Sequence, residues 1–438
     1  MGVLKLSTWF FLNLTGSSRL RGEVGELSGS FTPLVVYSLE PTRNHRNRSW
    51  RSVIMNVSVL QENLAHGLNI VSRAVSPRST LPVLSNVLIA TDEGRLRLSA
   101  TNLELGITCW IGAKINEEGS TTVPARTFTE LVNTLSEQQV DLTLSVRTQT
   151  LNVRCGATNT DLKCIDSQEF PPITSPDSAD AIEINLAELR EMIQQVAFSA
   201  STDEARPILT GVLLKVNGSS LTMAAADGFR LSVRKAPLPS PVPRSISAVV
   251  PARALVELAR IASDALQRRG EADQTVTMLL PPGRGQIIFR LKDVELISQL
   301  IEGSFPDYEQ IIPRGYQTRS VVSTSQFHKA CKQAEIFARE GSHITRINIT
   351  PGGELKPGNL LITGQSEETG TSQTEIIATV DGKELLIAFN VRFLLEVLEV
   401  IRTPEVALET SLDTAPGVIR PVGEDNFLHV IMPMHLGS

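Results

Sequence analysis

The feature that most constrains this chain is a unit that recurs three times between about Met55 and the end. The segment VPARTFTELV (123–132) matches VPARALVELA (250–259), and FNVRFLLEVL (389–398) is a more diverged third copy. The arginines shared by the copies are Arg126, Arg253 and Arg392, which are 127 and 139 residues apart. Self-similarity at a fixed period indicates a repeated structural unit, so the fold must contain three related domains.

The same apolar pattern follows each shared arginine, at positions i, i+3, i+4 and i+7. This spacing is typical of one face of an amphipathic helix. Pro124 and Pro251 stand where proline suits the first turn of a helix. The residues predicted to face the core are Phe128, Leu131, Val132 and Leu135, then Leu255, Leu258, Ala259 and Ala262, then Leu394, Val397, Leu398 and Ile401.

A second helix is predicted at the start of each unit, at 60–75, 186–200 and 327–339. Segments of alternating apolar and polar residues fill the remainder and predict antiparallel strands. The predicted fold class is α+β, with three domains at 55–173, 174–314 and 315–438. Three separate domains on a string are the alternative, but the linkers are short and have no flexible Gly/Ser-rich tract.

Residues 1–54 do not share the pattern of the repeats. They hold seven Lys/Arg and three Asp/Glu, a net charge of +4. Three interpretations remain open: Met55 is the true start and the upstream residues come from a mis-set reading frame, the segment is a disordered extension, or it is a targeting peptide. None of the three bears on the fold of the repeats.

Composition and motifs argue against an enzyme. The remainder of the chain carries a net charge of −10, so any DNA-binding surface must be locally positive on an acidic protein. No apolar run reaches the roughly 20 residues of a membrane span. The four cysteines form no CxxC pair and predict buried, reduced thiols in a cytoplasmic protein. We find no nucleotide-binding, zinc-protease or hydrolase motif, and predict neither metal nor cofactor.

Six landmarks in order resemble the bacterial sliding-clamp family, the β subunits of DNA polymerase III. They are SPRSTLPVLSNVLI, the two VPAR segments, LTMAAADGFRLSV, EGSFPDYEQIIP, AFNVRFLLEVL and the terminal VIMPMHL. The resemblance runs from Met55 to Leu436. Each string is weak alone, but their order and spacing are specific. A nuclease with scattered carboxylates and a non-replicative scaffold of the same fold are the competing hypotheses.

The resemblance implies a head-to-tail homodimer closed into a ring, with two helices of every domain lining the hole. Such a ring encircles double-stranded DNA without reading its sequence and tethers the catalytic subunit of DNA polymerase III, so processivity follows from topology. It also implies binding of the clamp-loader complex, and of other polymerases and mismatch-repair and ligase proteins through linear motifs. No membrane partner and no intrinsic chemistry are expected.

Three sets of residues follow from the resemblance. Basic residues expected to contact phosphates without reading bases are Arg78, Arg73, Arg206, Arg190, Arg253, Arg260, Lys329, Lys332 and Arg392. The expected partner-peptide pocket consists of Leu209, Gly228, Phe229, Arg230, Leu231, Pro306, Asn390, Phe393, Met432, Pro433, Met434 and Leu436. Expected dimer contacts are Ile336 and Phe337 in the third domain and Leu162 in the first. Phe229 stands where many family members have His, which makes the pocket more apolar.

Overall fold

The computed structural model describes residues 55–76, 81–173, 181–269 and 274–435. The first repeat contains two helices, α1 and α2. Its elements are β1 (Asn56–Leu60), α1 (Gln61–Val71), β2 (Asn86–Asp92), β3 (Arg95–Thr101), β4 (Leu105–Glu117), β5 (Ser120–Pro124), α2 (Ala125–Thr134), β6 (Gln139–Ser145), β7 (Thr150–Cys155) and β8 (Thr158–Lys163).

The second repeat keeps this order but extends two of its strands. It comprises β9 (Ala181–Asn185), α3 (Leu186–Val196), β10 (Gly211–Ala226), β11 (Arg230–Pro251), α4 (Ala252–Arg269), β12 (Thr275–Leu279), β13 (Gln286–Arg290) and β14 (Val294–Gln299). The long β10 covers the positions that β2 and β3 occupy in the first repeat.

The third repeat returns to separate strands. Its elements are β15 (Thr318–Ser323), α5 (Thr324–Ala338), β16 (Ile344–Thr350), β17 (Gly358–Ser366), β18 (Gly370–Gly382), β19 (Leu385–Asn390), α6 (Val391–Val400), β20 (Glu405–Thr410), β21 (Gly417–Pro421) and β22 (Phe427–Ile431). The predicted α+β class with three repeated units of two helices and antiparallel strands is therefore confirmed.

Strand pairing does not stop at the domain borders. The last strand of the second repeat, β14, pairs antiparallel with β4 of the first, with Ser298 opposite Leu105. The last strand of the third repeat, β22, pairs in the same way with β11 of the second, with Ile431 opposite Arg230. We call these two junctions the first seam (β4–β14) and the second seam (β11–β22). The domains are therefore joined by backbone hydrogen bonds, and the alternative of three separate domains on a flexible chain is wrong.

The helices form one continuous row. Within the repeats α1 packs on α2, α3 on α4 and α5 on α6. Between repeats, His66 of α1 lies 3.4 Å from Asp264 of α4, and α3 contacts α6. The row therefore runs α2–α1–α4–α3–α6–α5 and lies against one side of the sheets.

The apolar positions predicted for the second helix of each repeat do face the core. Phe128 and Val132 are fully buried, and all four predicted residues of α4 and of α6 are buried. The helix ends differ slightly from the prediction. Helix α1 is followed by a 3-10 turn after Val71, and α5 begins at Thr324 rather than Phe327. All four cysteines are unpaired, and three of them are buried.

Candidate functional site

Six of the predicted DNA-contacting residues lie on the α-helices themselves. Five of them have exposed side chains: Arg253 and Arg260 on α4, Lys329 and Lys332 on α5, and Arg392 on α6. Arg190 on α3 is half-buried. Exposed cations on one row of helices can meet a phosphate backbone without contacting base edges. Arg78 lies outside the described residues.

Acidic side chains reduce the positive charge of this surface where the helices of the first and second domains meet. Glu257 of α4 receives Arg260 at 2.6 Å and Arg73 of the first repeat at 3.3 Å. Two of the predicted cations thus share one carboxylate that is itself buried. Arg73 therefore also ties the first domain to the second.

Arg206 lies beside the predicted pocket rather than on a helix. Its Nε is 3.2 Å from a carboxylate oxygen of Asp203, and a Cβ built on Gly228 would come 3.2 Å from its Nη1. Gly228 has φ +97°, a conformation that side-chain-bearing residues rarely adopt. Gly228 thus makes the turn between β10 and β11 compact enough for Arg206 to lie against it.

The second seam carries an apolar surface on the side of the sheet away from the helices. Its buried members come from β10, β11, β21, β22 and the linker between the second and third domains: Leu213, Ala224, Ala226, Leu231, Val233, Val249, Tyr308, Val418 and Val430. Only Leu231 was predicted from the sequence. Period-two alternation in β10 and β11 signals the others, because it places Ala224, Ala226, Leu231 and Val233 on one face.

The C-terminal segment borders this surface. The backbone N–H of Met432 donates to Phe229 O at 2.8 Å, and that of Met434 donates to Ala388 O at 2.8 Å. The segment is thereby held between the second and third domains. Phe229 is 58% exposed and Met432 is 37% exposed, so both present apolar area to solvent beside the buried cluster. Leu436 lies outside the described residues.

Other predicted pocket residues lie around the same seam. Leu209 is half-buried in the 3-10 turn before β10, and Pro306 is exposed on the linker. Asn390 has a structural contact, since its side chain accepts a hydrogen bond from Arg392 N at 3.0 Å and caps α6. Pro433 is half-buried between the two methionines.

Arg230 is buried and joins the two domains. Its Nε donates to Asp227 at 3.0 Å, its Nη2 donates to Phe198 O at 2.8 Å, and its Nη1 pairs with Glu396 of α6. Its guanidinium also lies over the Phe393 ring, 4.3 Å from the centroid. A cation with so many partners inside its own chain stabilises the seam and is poorly placed to bind a ligand directly.

A buried histidine lies behind Arg230. Ser232 Oγ is 2.8 Å from His429 Nδ1 and 2.8 Å from Ser199 Oγ, and the His429 ring stacks on Phe198 with centroids 5.6 Å apart. Burial, assisted by the positive charge of Arg230, lowers the pKa of His429 to about 3. The imidazole is therefore neutral at physiological pH.

Several strands, among them β5, β9, β10 and β19, pair on one side only in the described part of the chain, and the edges of β8 and β18 are two further examples. β8 pairs with β7 alone, and the first part of β18, Gly370–Ala378, pairs with β17 alone. Two exposed apolar side chains lie on or near the second edge, namely Ile336 on α5 (51% exposed) and Ile377 on β18 (70% exposed). Phe337 is half-buried, and Leu162 is buried within the first domain.

The part of the chain that the structure describes has no group of three or more His, Cys, Asp or Glu placed to hold a metal ion. None of its helices is long and apolar enough to cross a membrane. The described chain presents a row of helices with exposed cations, an apolar seam and open strand edges on β8 and β18. Such an arrangement can bind a polyanion, an apolar segment and another strand. The class of protein it defines is a three-domain clamp.

Comparison with known proteins supports this class over nearly the whole described chain. The family models for the N-terminal, central and C-terminal domains of the DNA polymerase III beta subunit match residues 55–174, 183–307 and 309–435. The beta sliding clamp of Synechococcus elongatus is 32% identical over 387 residues, covering 88% of this chain and 100% of the relative. That of Bacillus subtilis is 30% identical over 390 residues, covering 87% and 99%.

A solved structure agrees. The crystal structure of the Bacillus subtilis DNA polymerase sliding clamp matches with a TM-score of 0.80 and 28% identity, covering 87% of this chain and 100% of that one. The chain therefore belongs to the DNA polymerase III beta-subunit family, the beta sliding clamps. It is a processivity factor for replication rather than a catalytic subunit.

Proposed function

We propose that two copies of this chain close head to tail into a ring around duplex DNA, and that the ring tethers DNA polymerase III during replication. The observation that carries the proposal is the repeated geometry of the seams. In both seams the last strand of one domain pairs with the corresponding long strand of the preceding domain, β14 with β4 and β22 with β11. The corresponding strands left over are β8 and the first part of β18.

Pairing β8 of one copy with β18 of another would make a third seam of the same kind. A head-to-tail contact that closes produces a ring, and the exposed Ile336 and Ile377 would be covered by it. Leu162 is a buried residue of β8 itself, so it would hold the strand to its own domain rather than cross the joint. Domain boundaries at residues 55–173, 174–314 and 315–438 fit this scheme, because each domain then ends with one donated strand or its linker.

Inside such a ring, the helix row would face the DNA. Arg253, Arg260, Lys329, Lys332 and Arg392 supply exposed cations there, while acidic neighbours such as Glu257 limit adhesion. A slider needs contacts with phosphates that are frequent and weak. We propose Arg190 and Arg73 as further contacts on this surface. Arg206, which lies beside Gly228, and Arg78, which lies outside the described residues, are proposed as DNA contacts on the family resemblance.

The second seam is the surface we propose for linear peptides of partner proteins. The catalytic subunit of the polymerase, the clamp-loader complex, other polymerases and mismatch-repair and ligase proteins would compete for it. A cluster bordered by two methionines and an exposed phenylalanine suits varied apolar side chains, because thioether chains repack easily. The proposed place of action is the cytoplasm.

The test is topological. The full chain, loaded by a clamp-loader complex onto nicked circular DNA, should stay bound during gel filtration in high salt and leave after a restriction enzyme linearises the circle. DNA with both ends blocked by bound protein should retain it. Equal retention on open linear and circular DNA would contradict encirclement and indicate an adhesive DNA-binding protein.

A further inference from the structure

The first seam repeats the backbone register of the second. At the first seam, Trp110 N donates to Asp293 O at 2.9 Å; at the second, Lys235 N donates to Asn426 O at 2.8 Å. Thr108 lies between Ser99 and Glu295 across three strands, as Val233 lies between Ala224 and Leu428. The face that carries the apolar surface at the second seam therefore has a direct counterpart at the first.

The side chains on that counterpart face are charged. Arg95 and Arg97 project from β3 on the same side as Trp110, while Arg290 ends β13 and Lys292 lies in the turn between β13 and β14. Together they line a cavity of about 910 Å³. The linker between the first two domains forms its apolar wall with Phe170 and Ile173. The seam is thus concave and chemically unlike its partner.

Of these cations, Arg290 is already paired, since its Nε donates to Glu295 at 2.8 Å, whereas Arg95 and Arg97 are only partly engaged by carboxylates. The Nη1 atoms of Arg95 and Arg97 lie 3.5 Å and 3.6 Å from carboxylate oxygens of Asp293 and Asp92, which is longer than a normal hydrogen bond. Asp92 is instead bonded by the Trp110 indole N–H at 2.7 Å. Over the described chain, neither guanidinium makes a hydrogen bond, and the exposed Lys292 has no ion pair. Donors for an incoming carboxylate are therefore available.

The spacing of the two arginines specifies the shape of the ligand. Residues i and i+2 of a strand lie on one face about 7 Å apart, and an extended peptide places its own side chains with the same period. Two carboxylates at i and i+2 of such a peptide can each meet one guanidinium. Trp110, Phe170 and Ile173 offer apolar area for a neighbouring side chain.

We propose that this cavity is a second docking site, which binds an extended acidic peptide segment with carboxylates two residues apart. Its floor shares no side chain with the apolar surface of the second seam. The two seams of one chain would then hold partners of different chemistry at the same time. The proposal does not depend on peptide binding at the second seam, so either can fail alone.

The probe is a fluorescein-labelled, amidated peptide of eight residues in which Asp alternates with Leu, titrated with the full chain by fluorescence anisotropy. We expect binding that weakens as salt rises. The Arg95→Gln/Arg97→Gln double variant, and a peptide with Asn in place of Asp, should each bind at least tenfold more weakly.

The matched control is Arg319→Gln/Arg420→Gln, which removes two half-exposed strand arginines that share Glu409 elsewhere in the fold. This variant and Met432→Ala should bind the acidic peptide as the unaltered chain does. If the double variant at the cavity unfolds, the exposed Lys292→Gln should still reduce affinity. No binding by the unaltered chain, an undiminished affinity of the cavity variants, or preferential binding of a labelled single-stranded octanucleotide would overturn the proposal.

Discussion

The guanidinium carbon of Arg230 lies 4.3 Å from the centroid of the Phe393 ring, across the border between the second and third domains. Arg230 is the first residue of β11, and Phe393 lies in the first turn of α6. The same guanidinium bonds Asp227 and Phe198 O in its own domain and pairs with Glu396 in the next. One buried side chain thus connects the sheet of one domain to the helix of another.

Replacing Arg230 by Met should lower the free energy of unfolding by about 3 kcal/mol, because it leaves the carboxylates of Asp227 and Glu396 without their buried partner. Urea denaturation followed by circular dichroism measures the change. Arg126→Met is the matched control, since its i,i+4 pair with Glu130 is exposed to solvent and its loss should leave the stability almost unchanged. Similar losses in the two variants would contradict the role given to Arg230.

Truncating Met432 or Met434 to Ala should weaken binding of a polymerase-derived peptide by about tenfold, or roughly 1.4 kcal/mol, by removing apolar contact area beside the seam. A fluorescence titration with a labelled peptide measures the affinity. The ring should remain intact, as sedimentation would show. Leu355→Ala, which alters an exposed side chain in a loop of the third domain, should bind as before. Unchanged affinity in both methionine variants would remove them from the site.

Stability should fall with acidity partly through His429. Its pKa is about 3 in the folded chain and 6.5 when exposed, so the unfolded state binds the extra proton between these values. The stabilisation is complete above pH 6.5 and is lost as pH falls toward 3, by about 1.4 kcal/mol per pH unit. Between pH 6.5 and 5 this amounts to about 2 kcal/mol.

The His429→Asn variant keeps a side-chain partner for Ser232 but has no group that titrates in this range. Urea denaturation at several pH values should therefore give a shallower loss of stability for the variant than for the unaltered chain. Parallel slopes would show that His429 is accessible to protons in the folded state.

Assembly should depend on the open edge of the third domain. The chain should sediment as a dimer at micromolar concentration, and Ile336→Arg should shift it to monomer, because a charge buried at the joint has no partner. Leu103→Arg is the control, since Leu103 is 52% exposed in the turn between β3 and β4, and this variant should stay dimeric. If the unaltered chain is a monomer at this concentration, the proposed head-to-tail dimeric ring is contradicted.

The sequence predicts the elements of this fold much better than the junctions between them. Amphipathic spacing places Leu255, Leu258 and Ala262 on the core face of α4, because a helix face is a local property. The partners of Arg230 cannot be read in this way, since Phe198 and Glu396 are 32 and 166 residues away in the chain. The resemblance to a family named Arg230 as a pocket residue, and only the folded chain reveals how many intramolecular bonds it makes.

The charged face of the first seam was also missed. Arg97 and Trp110 are ordinary members of alternating strands, and nothing local distinguishes them from solvent-facing residues. Their meeting with Lys292 depends on the pairing of β4 with β14, which joins residues almost two hundred positions apart. Register between distant strands is set by the whole hydrophobic pattern and not by any one motif.

The open edges of β8 and β18 have a consequence for how the chain behaves before it meets DNA. An unpaired strand edge with exposed isoleucine beside it is a template for any other strand, correct or not. A newly made copy should be safest when a second copy is close by, and most vulnerable when dilute or newly released. The amount of the chain in a cell would then govern its solubility as well as its supply. Variants that loosen the joint should reveal themselves first as aggregates.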